Sequence, residues 1–417
     1  AFLGVKDLRW LPSASFPCHA PIIEHMKSGV VHHIEGSMNG PLGDYCSMGK
    51  MRGMGVLRSH GGRWQAVQDG EVHIDAADPF GNANGVTGPS ACGLLGFALV
   101  DSIYADHVIV VTDNLIPFPC IPWQIQGNNV DQVVVMDSIG DPAKIVSGTT
   151  QLTKSPDRLL IAEWTARFIR DAGIMKEGFS FQAGAGGTAL AFAIYLKKMM
   201  LDAGVRARFI RGGSNRYLVE MLQEGLTDYI LDGQTFDLDG VRSMRDNPRH
   251  QDTSPFTSYN YHGKGCFASM IDAVVLGATE VDVDFNANVV THSDGRLLHG
   301  IGGWQNCLAG RCVILPIPSV RDRIPVIVDR VTTLCGPGEL IDVVVTERGI
   351  AVNPRRGELI DAVKGADLPL RPIQDIKAEV DALCGGPPAP PKLDERIVAA
   401  IKWVDGTVID CVRQVRN

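Results

Sequence analysis

A glycine-rich loop in the middle of the chain has residue types and spacing that can stabilise negative charge. A strand-like segment at residues 178–182 is followed by Gly184, Gly186 and Gly187, and an amphipathic segment that ends at Gly204 comes next. A glycine loop between a strand and a helix leaves backbone N–H groups free at the helix N-terminus, where they can bind a phosphate, a carboxylate or the oxyanion of a tetrahedral intermediate. The loop is not GxGxxG, and no Gly-Lys-Ser/Thr follows it, so neither a nicotinamide cofactor nor a P-loop is indicated. A tight structural turn is the alternative interpretation.

Two further glycine clusters lie near predicted elements. One is RGGSN at residues 211–215, between a predicted strand and a helix, and the other is SDGRLLHGIGG at residues 293–303. Three such clusters at predicted sheet ends are typical of a binding site, although each one alone can be a turn. The positions in these two clusters that we predict to contribute to a site are Gly213, Ser214, Asn215, Gly302 and Gly303.

A short basic segment supplies residues that suit an anionic substrate. VLRSHGGRW at residues 56–64 concentrates Arg58, Ser59 and His60 beside two glycines. A guanidinium group binds a planar carboxylate through two hydrogen bonds, so Arg58 is our candidate for carboxylate recognition. A solvated, charged loop is the alternative. Histidines elsewhere match no metal-ligand spacing, so no metal site is predicted.

The chain contains a weak internal repeat. DPFGNANGVTG at residues 78–88 resembles DVDFNANVVTHSDG at residues 282–295, and the shared Asn-Ala-Asn triplets are offset by 204 residues. This offset is close to the length of a domain, so the repeat indicates two related α/β domains, with chance similarity as the alternative. The asparagines of the triplets are candidates for substrate binding, and they are Asn82, Asn84, Asn286 and Asn288.

Charged and apolar residues alternate just before the second triplet, in EVDVD at residues 280–284. Such alternation predicts a strand with one solvated face. Glu280 is also a candidate nucleophile, because a carboxylate can form a covalent acyl intermediate. No local signature of a Ser-His-Asp or Cys-His arrangement accompanies it.

The elements that must position these residues alternate between strands and helices. Ser155-Pro156 is a typical N-cap and first-turn pair, and it predicts a helix that ends before Gly173. Asp405-Gly406 favours a tight turn and predicts a hairpin within residues 396–415. Strands are predicted at residues 105–112, 130–136, 178–182, 206–210, 272–276, 312–315, 325–328 and 341–346. This order predicts α/β layers with largely parallel sheets.

Length and composition limit the class of protein. The chain has 417 residues, of which 45% are hydrophobic and 21% charged, so it can form two or three folded domains and is not disordered. Its net charge of -8 disfavours nucleic acid and anionic membranes as partners. Ten cysteines without a CxxC pair indicate neither a disulfide framework nor a zinc site, and a reducing, cytoplasmic location is expected. We place an N-terminal domain at residues 1–152 and a C-terminal domain at residues 153–417.

Several sequence strings, taken together and in order, resemble the citrate lyase alpha chain family. They are HAPIIEHMKSGVV, LRSHGGR, DPFGNANGVTGPSACG, GDPAKI, GFSFQAGAGGTALA, EVDVDFNANV and VTERGIAVNP, and they run over nearly the whole chain. The family is distantly related to the CoA-transferases, so the resemblance implies two related, open α/β domains of that kind. Relatives carry further N-terminal sequence, and we therefore expect the first domain to lack its first segment.

The resemblance also implies a reaction. The family exchanges acetyl for citryl on a thioester, so that an acetyl carrier and citrate give a citryl carrier and acetate. A beta subunit then cleaves the citryl thioester. The thiol belongs to CoA or to the phosphoribosyl-dephospho-CoA arm of a gamma acyl carrier subunit, and no cofactor is attached to this chain. The implied partners are these two subunits and further copies of the chain.

The glycine loops and Arg58 fit such chemistry. Gly186, Gly187 and Gly213 are our candidates for oxyanion donors, while Arg58 and Asn286 would recognise carboxylates. Many CoA-transferases use a glutamate nucleophile, but ARFIRGGSNR, which aligns with that position, contains none. The resemblance therefore implies direct transfer through a mixed anhydride, with Glu280 as the rival nucleophile.

Three other functions stay open. A related enzyme could act on citramalate or transfer free CoA through a glutamyl intermediate. The chain could be a non-catalytic scaffold that docks the carrier and the beta subunit, although three glycine loops favour an enzyme. A nucleotide-binding Rossmann enzyme is disfavoured, because the glycine fingerprint and its paired acidic residue are missing.

Overall fold

The computed structural model describes residues 8–10, 31–35, 53–54, 69–73, 75–105, 107–145, 151–184, 186–254, 257–258, 266–298, 300–403 and 406–416. The chain divides into two compact units, Arg63–Val275 and the pair of segments Ala1–Gly62 and Leu276–Asn417. We call the first the central unit and the second the terminal unit. The domain boundary at residues 152–153 is inferred from the internal sequence repeat, and it stays a prediction.

The elements are numbered in chain order. The strands are β1 (Leu8–Trp10), β2 (Val31–Glu35), β3 (Gly53–Met54), β4 (Asp69–His73), β5 (Ala76–Ala77), β6 (Ala83–Asn84), β7 (His107–Thr112), β8 (Gln132–Val135), β9 (Phe179–Ala183), β10 (Ala207–Ser214), β11 (Thr227–Thr235), β12 (His250–Asp252), β13 (Ala273–Val275), β14 (Glu280–Asp282), β15 (Ala287–Asn288), β16 (Val313–Pro316), β17 (Val320–Arg321), β18 (Ile324–Pro325), β19 (Ile327–Val328), β20 (Val343–Thr346), β21 (Gly349–Val352), β22 (Leu393–Lys402) and β23 (Val408–Val415). The α-helices are α1 (Phe97–Tyr104), α2 (Pro156–Asp171), α3 (Gly187–Ala203), α4 (Arg216–Gln223), α5 (Leu238–Asp246), α6 (Trp304–Cys307), α7 (Gly357–Ala362) and α8 (Ile373–Cys384). None of the helices within the described residues is long and apolar enough to span a bilayer.

Parallel strands form the core of the central unit. Strands β12, β11, β10, β9 and β13 lie side by side in this order, and every neighbouring pair among them is parallel. A second parallel set has the order β4-β7-β8. All five residues of β9 are buried, as expected for a strand covered on both faces. The predicted α/β class with largely parallel sheets is confirmed.

The helices that flank this sheet begin and end as the sequence predicts. Ser155 is the N-cap residue of α2 and Pro156 occupies its first turn. Helix α3 ends at Gly204, whose φ of 63° lies in the left-handed region that glycine adopts at low cost. These boundaries follow from local backbone preferences and need no tertiary information.

The predicted RGGSN loop is wrong in one respect, because β10 runs through Ser214. Gly212 and Gly213 are therefore strand residues, and the register of β10 against β11 shifts between them. A Cβ atom on Gly213 would lie 1.7 Å from a ring carbon of Phe236. Gly213 is thus required by the packing of an aromatic ring against the strand.

The terminal unit combines a parallel pair with antiparallel hairpins. β16 is parallel to β20, and β20 is antiparallel to β21. β14 pairs with β15 in an antiparallel manner and with β19 in a parallel manner. The predicted C-terminal hairpin is confirmed as β22–β23, and it begins at Leu393. Gly406 occupies its turn with φ 91°, while Asp405 lies outside the described residues.

Two short hairpins, one in each unit, repeat one hydrogen-bond pattern. In β5–β6, the Asp78 carboxylate accepts hydrogen bonds from the backbone N–H of Asn82 at 3.1 Å and from its side-chain amide at 2.9 Å. In β14–β15, the Asp282 carboxylate accepts the same two bonds from Asn286 at 2.9 and 3.1 Å. The sequence repeat is therefore a structural repeat at these hairpins.

The repeat extends to the strands that follow. The N–H of Val108 in β7 donates to the carboxylate of Asp131 at 2.7 Å, and the N–H of Val313 in β16 donates to that of Asp342 at 2.6 Å. Each aspartate directly precedes the next parallel strand, which is β8 or β20. We call residues 75–135 the first copy and residues 279–346 the second copy.

Candidate functional site

The predicted anion-binding loop lies between β9 and α3, at the carboxyl end of a parallel strand. Gly186 is the exposed N-cap residue of α3, and a Cβ atom there would meet no other atom within 4 Å. Gly187 is tightly packed, because its Cβ would lie 2.7 Å from the carbonyl oxygen of Gln151 and 2.9 Å from the backbone nitrogen of Thr153. Gly184 follows the last residue of β9 and is half-buried. Gly187 therefore allows residues 151–153 to pack closely against the start of α3, while Gly186 leaves the helix N-terminus accessible.

The N-terminus of α3 differs from those of its neighbours α4 and α5. The side chain of Asn215 caps α4, where it accepts hydrogen bonds from the N–H groups of Tyr217 and Leu218 at 3.0 and 3.3 Å. The side chain of Asp237 caps α5 and accepts the N–H of Gly240 at 2.9 Å. The N-cap residue of α3 is Gly186, and no side-chain capping hydrogen bond forms there among the described residues. Its first-turn N–H groups can therefore serve an external anion, whereas Asn215 has a structural partner.

Ser214 donates into a buried polar network at the ends of β10 and β11. Its hydroxyl and its backbone N–H bind the Asp232 carboxylate at 2.5 and 3.0 Å. The hydroxyl of Thr235 donates to the same carboxylate at 3.1 Å, and the His250 ring lies 3.4 Å from it. All four side chains are buried. Ser214 therefore fixes the strand ends beside the glycine loop. Asp232, which no sequence pattern indicates, is the centre of this network.

A loop of the first copy is attached to the same strand ends. The N–H of Leu94 donates to the hydroxyl of Thr235 at 3.1 Å, and a Cβ on Gly93 would lie 2.4 Å from that oxygen. The carboxylate of Asp75 accepts the N–H of Cys92 at 2.9 Å, which holds the base of the loop. Burial raises the pKa of Asp75 to about 6. Residues 85–95 are thus held against β11.

Asn82 and Asn84 use their amide groups inside the first copy. Asn82 donates to Asp78, as described above, and accepts the N–H of Gly127 at 2.9 Å. Asn84 donates to the carbonyl oxygen of Pro122 at 2.7 Å and accepts the N–H of Val86 at 3.0 Å. Both side chains are buried. These contacts show that both asparagines hold turns, and their predicted contact with substrate stays a prediction.

Glu280 and Asn288 are buried together in the second copy. The Glu280 carboxylate accepts the Asn288 amide at 3.0 Å, the N–H of Thr332 at 2.9 Å and the hydroxyl of Thr332 at 3.2 Å. Glu280 is 1% exposed, and Asp282 is also buried. The predicted solvated face of this strand is therefore wrong, because both buried carboxylates accept hydrogen bonds from residues of the hairpin and from residues 331–332. The nucleophile hypothesis for Glu280 would require this packing to open.

Asn286 lies at a polar cavity of about 600 Å³ in the terminal unit. Its side chain accepts the N–H of Gly338 at 2.9 Å and donates to Asp282. Charged side chains at the cavity include Arg355 and Glu339, which lie 3.5 Å apart. The cavity could admit a small polar ligand near Asn286.

The remaining predicted site residues are placed only in part. Gly302 has φ 59°, and a Cβ added to it would meet no other atom within 4 Å, while Gly303 is the N-cap residue of the short helix α6. Arg58, Ser59 and His60 lie outside the described residues. Among the described residues, no group of His, Cys, Asp and Glu side chains is arranged to hold a metal ion.

Comparison with solved structures defines the class of fold. The malonate decarboxylase alpha subunit from Acinetobacter baumannii matches with a TM-score of 0.61 and 16% identity, over 92% of this chain and 87% of that chain. A 4-hydroxybutyrate CoA-transferase from Porphyromonas gingivalis matches with a TM-score of 0.56 and 14% identity, over 91% of this chain and 87% of that chain. At these identities the likeness concerns the fold alone, and the fold is that of a CoA-transferase-like protein.

Closer relatives narrow this class to a family. The family model described as citrate lyase, alpha subunit matches residues 1–415. The citrate lyase alpha chain of Klebsiella pneumoniae is 41% identical over 100% of this chain and 84% of its own length. A crystal structure of a citrate lyase alpha subunit from Streptococcus mutans, in complex with citrate, matches with a TM-score of 0.93 and 38% identity, over 100% of this chain and 83% of that chain. The chain belongs to the citrate lyase alpha subunit family, and the prediction of a transferase-type component of citrate lyase is confirmed.

Proposed function

We propose that the chain exchanges acetyl for citryl on a thioester, so that acetyl carrier and citrate give citryl carrier and acetate. The observation that carries this proposal is the accessible, uncapped N-terminus of α3 at the glycine loop, in a chain of the citrate lyase alpha subunit family. The Streptococcus mutans relative was solved in complex with citrate, which supports citrate as the acid.

The exchange proceeds through a mixed anhydride. A citrate carboxylate oxygen attacks the acetyl carbonyl carbon, a C–O bond forms, and the C–S bond breaks to release the carrier thiolate. The thiolate then attacks the citryl carbonyl of the citric–acetic anhydride, and acetate leaves. Each attack places negative charge on a carbonyl oxygen, which backbone N–H groups can stabilise. Both acyl partners must be held together and shielded from water, because the anhydride hydrolyses readily.

Residues of this chain can supply the oxyanion donors and the groups that bind carboxylates. The N–H groups of the first turn of α3, next to Gly186 and Gly187, would donate to the oxyanion. Arg58 would bind a citrate carboxylate, because its guanidinium group matches a planar carboxylate. Asn286, at the polar cavity of the terminal unit, would contact a polar group of a small ligand there.

Direct transfer needs no protein nucleophile, and the environment of Glu280 supports this. Its carboxylate is buried and accepts three hydrogen bonds, so it is not presented to a thioester. The segment at residues 211–215 contains no glutamate either. A glutamyl thioester intermediate is the alternative mechanism that the experiment below separates.

The partners would follow from this reaction. The thioester would be carried by CoA or by the phosphoribosyl-dephospho-CoA arm of a gamma acyl carrier subunit, and no cofactor would be bound covalently to this chain. The beta subunit would consume the citryl thioester. Further copies of the chain would assemble with both subunits in a cytoplasmic complex.

The test is an exchange assay followed by mass spectrometry. The chain is supplied with acetyl-CoA or acetylated carrier and with carbon-labelled citrate, and we expect labelled citryl thioester to form. Hydroxylamine and borohydride are added in parallel, and we expect neither to trap an acyl group on the chain. A trapped glutamyl adduct would contradict direct transfer, and absence of exchange by the folded protein would favour a scaffold. Citramalate in place of citrate tests the rival substrate.

A further inference from the structure

Strand β8 in the central unit is an open sheet edge with exposed apolar side chains. It is the last strand in the order β4-β7-β8 within the described part of the chain. Val134 and Val135 are 41% and 55% exposed, and Met136, which follows them, is 50% exposed. An edge of this kind presents unpaired backbone groups and apolar side chains to any strand that approaches it.

The corresponding strand of the second copy is covered. β20 pairs with β21 in an antiparallel manner, from Val343 opposite Val352 to Thr346 opposite Gly349. The side chains of Val343, Val344 and Val345 are fully buried there. Among the described residues no strand pairs with β8 in this way, and β8 is followed by a short 3₁₀ helix at Pro142–Ile145 and, after residues 146–150, by the segment that leads into α2. The pairing of β21 with β20 therefore shows what kind of strand can cover the edge of β8.

The two copies differ in the ion pair made by the aspartate that precedes the strand, as far as the described residues show. Asp342, at the start of β20, forms an ion pair with Arg356, which follows β21 by four residues. Asp131 occupies the same position before β8 and makes the same bond to the preceding strand. No Arg or Lys in the described part of the chain forms an ion pair with Asp131. An occupant that imitates β21 would bring a cation to this carboxylate.

The same charges disfavour a second copy of this chain as the occupant. Two β8 strands that pair antiparallel about Val134 would place Asp131 of one chain opposite Asp137 of the other at both ends of the ladder. Like charges directly opposite each other destabilise an antiparallel pair. A strand with basic flanking residues fits the edge better than β8 itself.

We propose that the open edge of β8 binds an extended apolar segment of another protein, which adds to the sheet as an antiparallel strand and carries Arg or Lys four residues after its last paired residue. Strand addition at an exposed edge is a common mode of peptide recognition, in which main-chain hydrogen bonds give affinity. The cation would bind Asp131, as Arg356 binds Asp342. The proposal does not depend on the acyl exchange.

The direction of the β8 amides shows which substitution would weaken strand addition without disturbing the pairing of β8 with β7. The N–H of Met136 donates to the carbonyl oxygen of Thr112 at 2.8 Å, so it faces β7. Since amides two residues apart point the same way, Val134 also faces β7, and the N–H groups of Val133 and Val135 face the open edge. Proline at residue 135 removes an outward donor and leaves the ladder to β7 intact.

The experiment measures binding of a labelled synthetic peptide with the sequence of residues 347–357, the segment that covers β20, to the full chain by fluorescence anisotropy. We expect saturable binding at or below about 1 mM. Val135→Pro should weaken binding by about tenfold, because it removes a main-chain hydrogen bond, while Val135→Thr, which keeps the N–H, should bind as the wild type does. Asp131→Asn should weaken binding by about threefold, and a peptide with Gln in place of Arg356 should not respond to that change.

Several outcomes would overturn the proposal. They are no binding at about 1 mM peptide, equal binding by Val135→Pro and Val135→Thr, or no effect of Asp131→Asn on the unmodified peptide. Circular dichroism of each variant shows whether it is folded, and Val135→Thr provides the matched comparison. Light scattering on the same samples identifies a second copy as occupant: a wild-type dimer that Val135→Pro makes monomeric would also contradict the proposal.

Discussion

Ser214 and Asp232 form a hydrogen bond of 2.5 Å between two fully buried side chains, and it joins the last residue of β10 to the adjacent parallel strand β11. The same carboxylate also accepts the backbone N–H of Ser214, so it fixes the last residue of β10 in two ways. Thr235 extends the connection to the N–H of Leu94. A single aspartate thereby organises the strand ends next to the loop that starts α3.

Replacing Asp232 should therefore cost much more stability than replacing an exposed aspartate. Asp232→Asn leaves buried donors without their charged acceptor, and we expect the free energy of unfolding to fall by about 2–4 kcal/mol. Asp239→Asn breaks an exposed ion pair with Arg242 and should change it by less than about 1 kcal/mol. Urea unfolding followed by tryptophan fluorescence measures both. Equal effects of the two changes would contradict the structural role of Asp232.

Asp75 should make stability depend on pH in a defined window. Burial raises its pKa from 3.8 to about 6, so the folded state keeps a proton that the unfolded state has already lost between these values. The contribution of the protonated carboxyl is fully present below about pH 4 and is lost as the pH rises through about 6, at most about 3 kcal/mol in total.

Asp75→Asn should remove this decline from the pH profile of the unfolding free energy. The amide oxygen can still accept the N–H of Cys92, so the loop of residues 85–95 should stay attached. Asp202→Asn, on the exposed side of α3, is the matched control and should leave the decline in place. A decline of equal size in Asp75→Asn would show that another group titrates.

Gly186→Ala tests whether the N-terminus of α3 serves the reaction. A methyl group there enters open space, so packing is not disturbed, but it projects where an anion would approach the helix. We expect kcat/KM of the exchange to fall by about tenfold or more, with a loss of stability of about 1 kcal/mol from the changed N-cap.

Gly357→Ala is the control for that change. Gly357 is the first residue of α7, one position after its N-cap Arg356, and its added Cβ would also meet no atom within 4 Å. Exchange kinetics of this variant should match those of the wild type. If Gly186→Ala and Gly357→Ala both lose activity, or if both keep it, the loop before α3 has no special role.

The packing of Gly213 against Phe236 predicts a coupled pair of substitutions. Gly213→Ala places a methyl group 1.7 Å from the ring and should destabilise the protein by about 1–3 kcal/mol. In the background of Phe236→Ala the same change should cost much less, because the ring is gone. Urea unfolding of the four proteins gives the coupling energy, and strictly additive effects would contradict the contact.

Much of the fold could be predicted because its signals are local. The start of α2 at Ser155-Pro156, the end of α3 at Gly204 and the buried run of β9 each depend on a few neighbouring residues. The internal repeat was also visible, because the asparagines that hold each turn must recur at the same spacing.

Other features could not be predicted because their causes are distant in sequence. Glu280 was expected on a solvated face, yet its donors on Thr332 lie 52 residues away. No local pattern in the sequence distinguishes Asp232, because its partners Ser214 and His250 are each 18 residues away. Alternation of charged and apolar residues therefore failed where paired polar groups are buried.

Glu280→Gln decides between direct transfer and a covalent intermediate. A glutamine keeps one acceptor oxygen but turns an N–H₂ group toward the donors of Asn288 or Thr332, so we expect a loss of stability of about 1–3 kcal/mol. If citrate attacks the thioester directly, the exchange rate of the folded variant should stay within about tenfold of the wild type. Loss of a nucleophile would instead lower it by about 10⁴-fold or more. Thr332→Val removes one donor to the same carboxylate and is the matched control for stability. If Glu280→Gln is inactive while Thr332→Val of equal stability is active, Glu280 is the nucleophile.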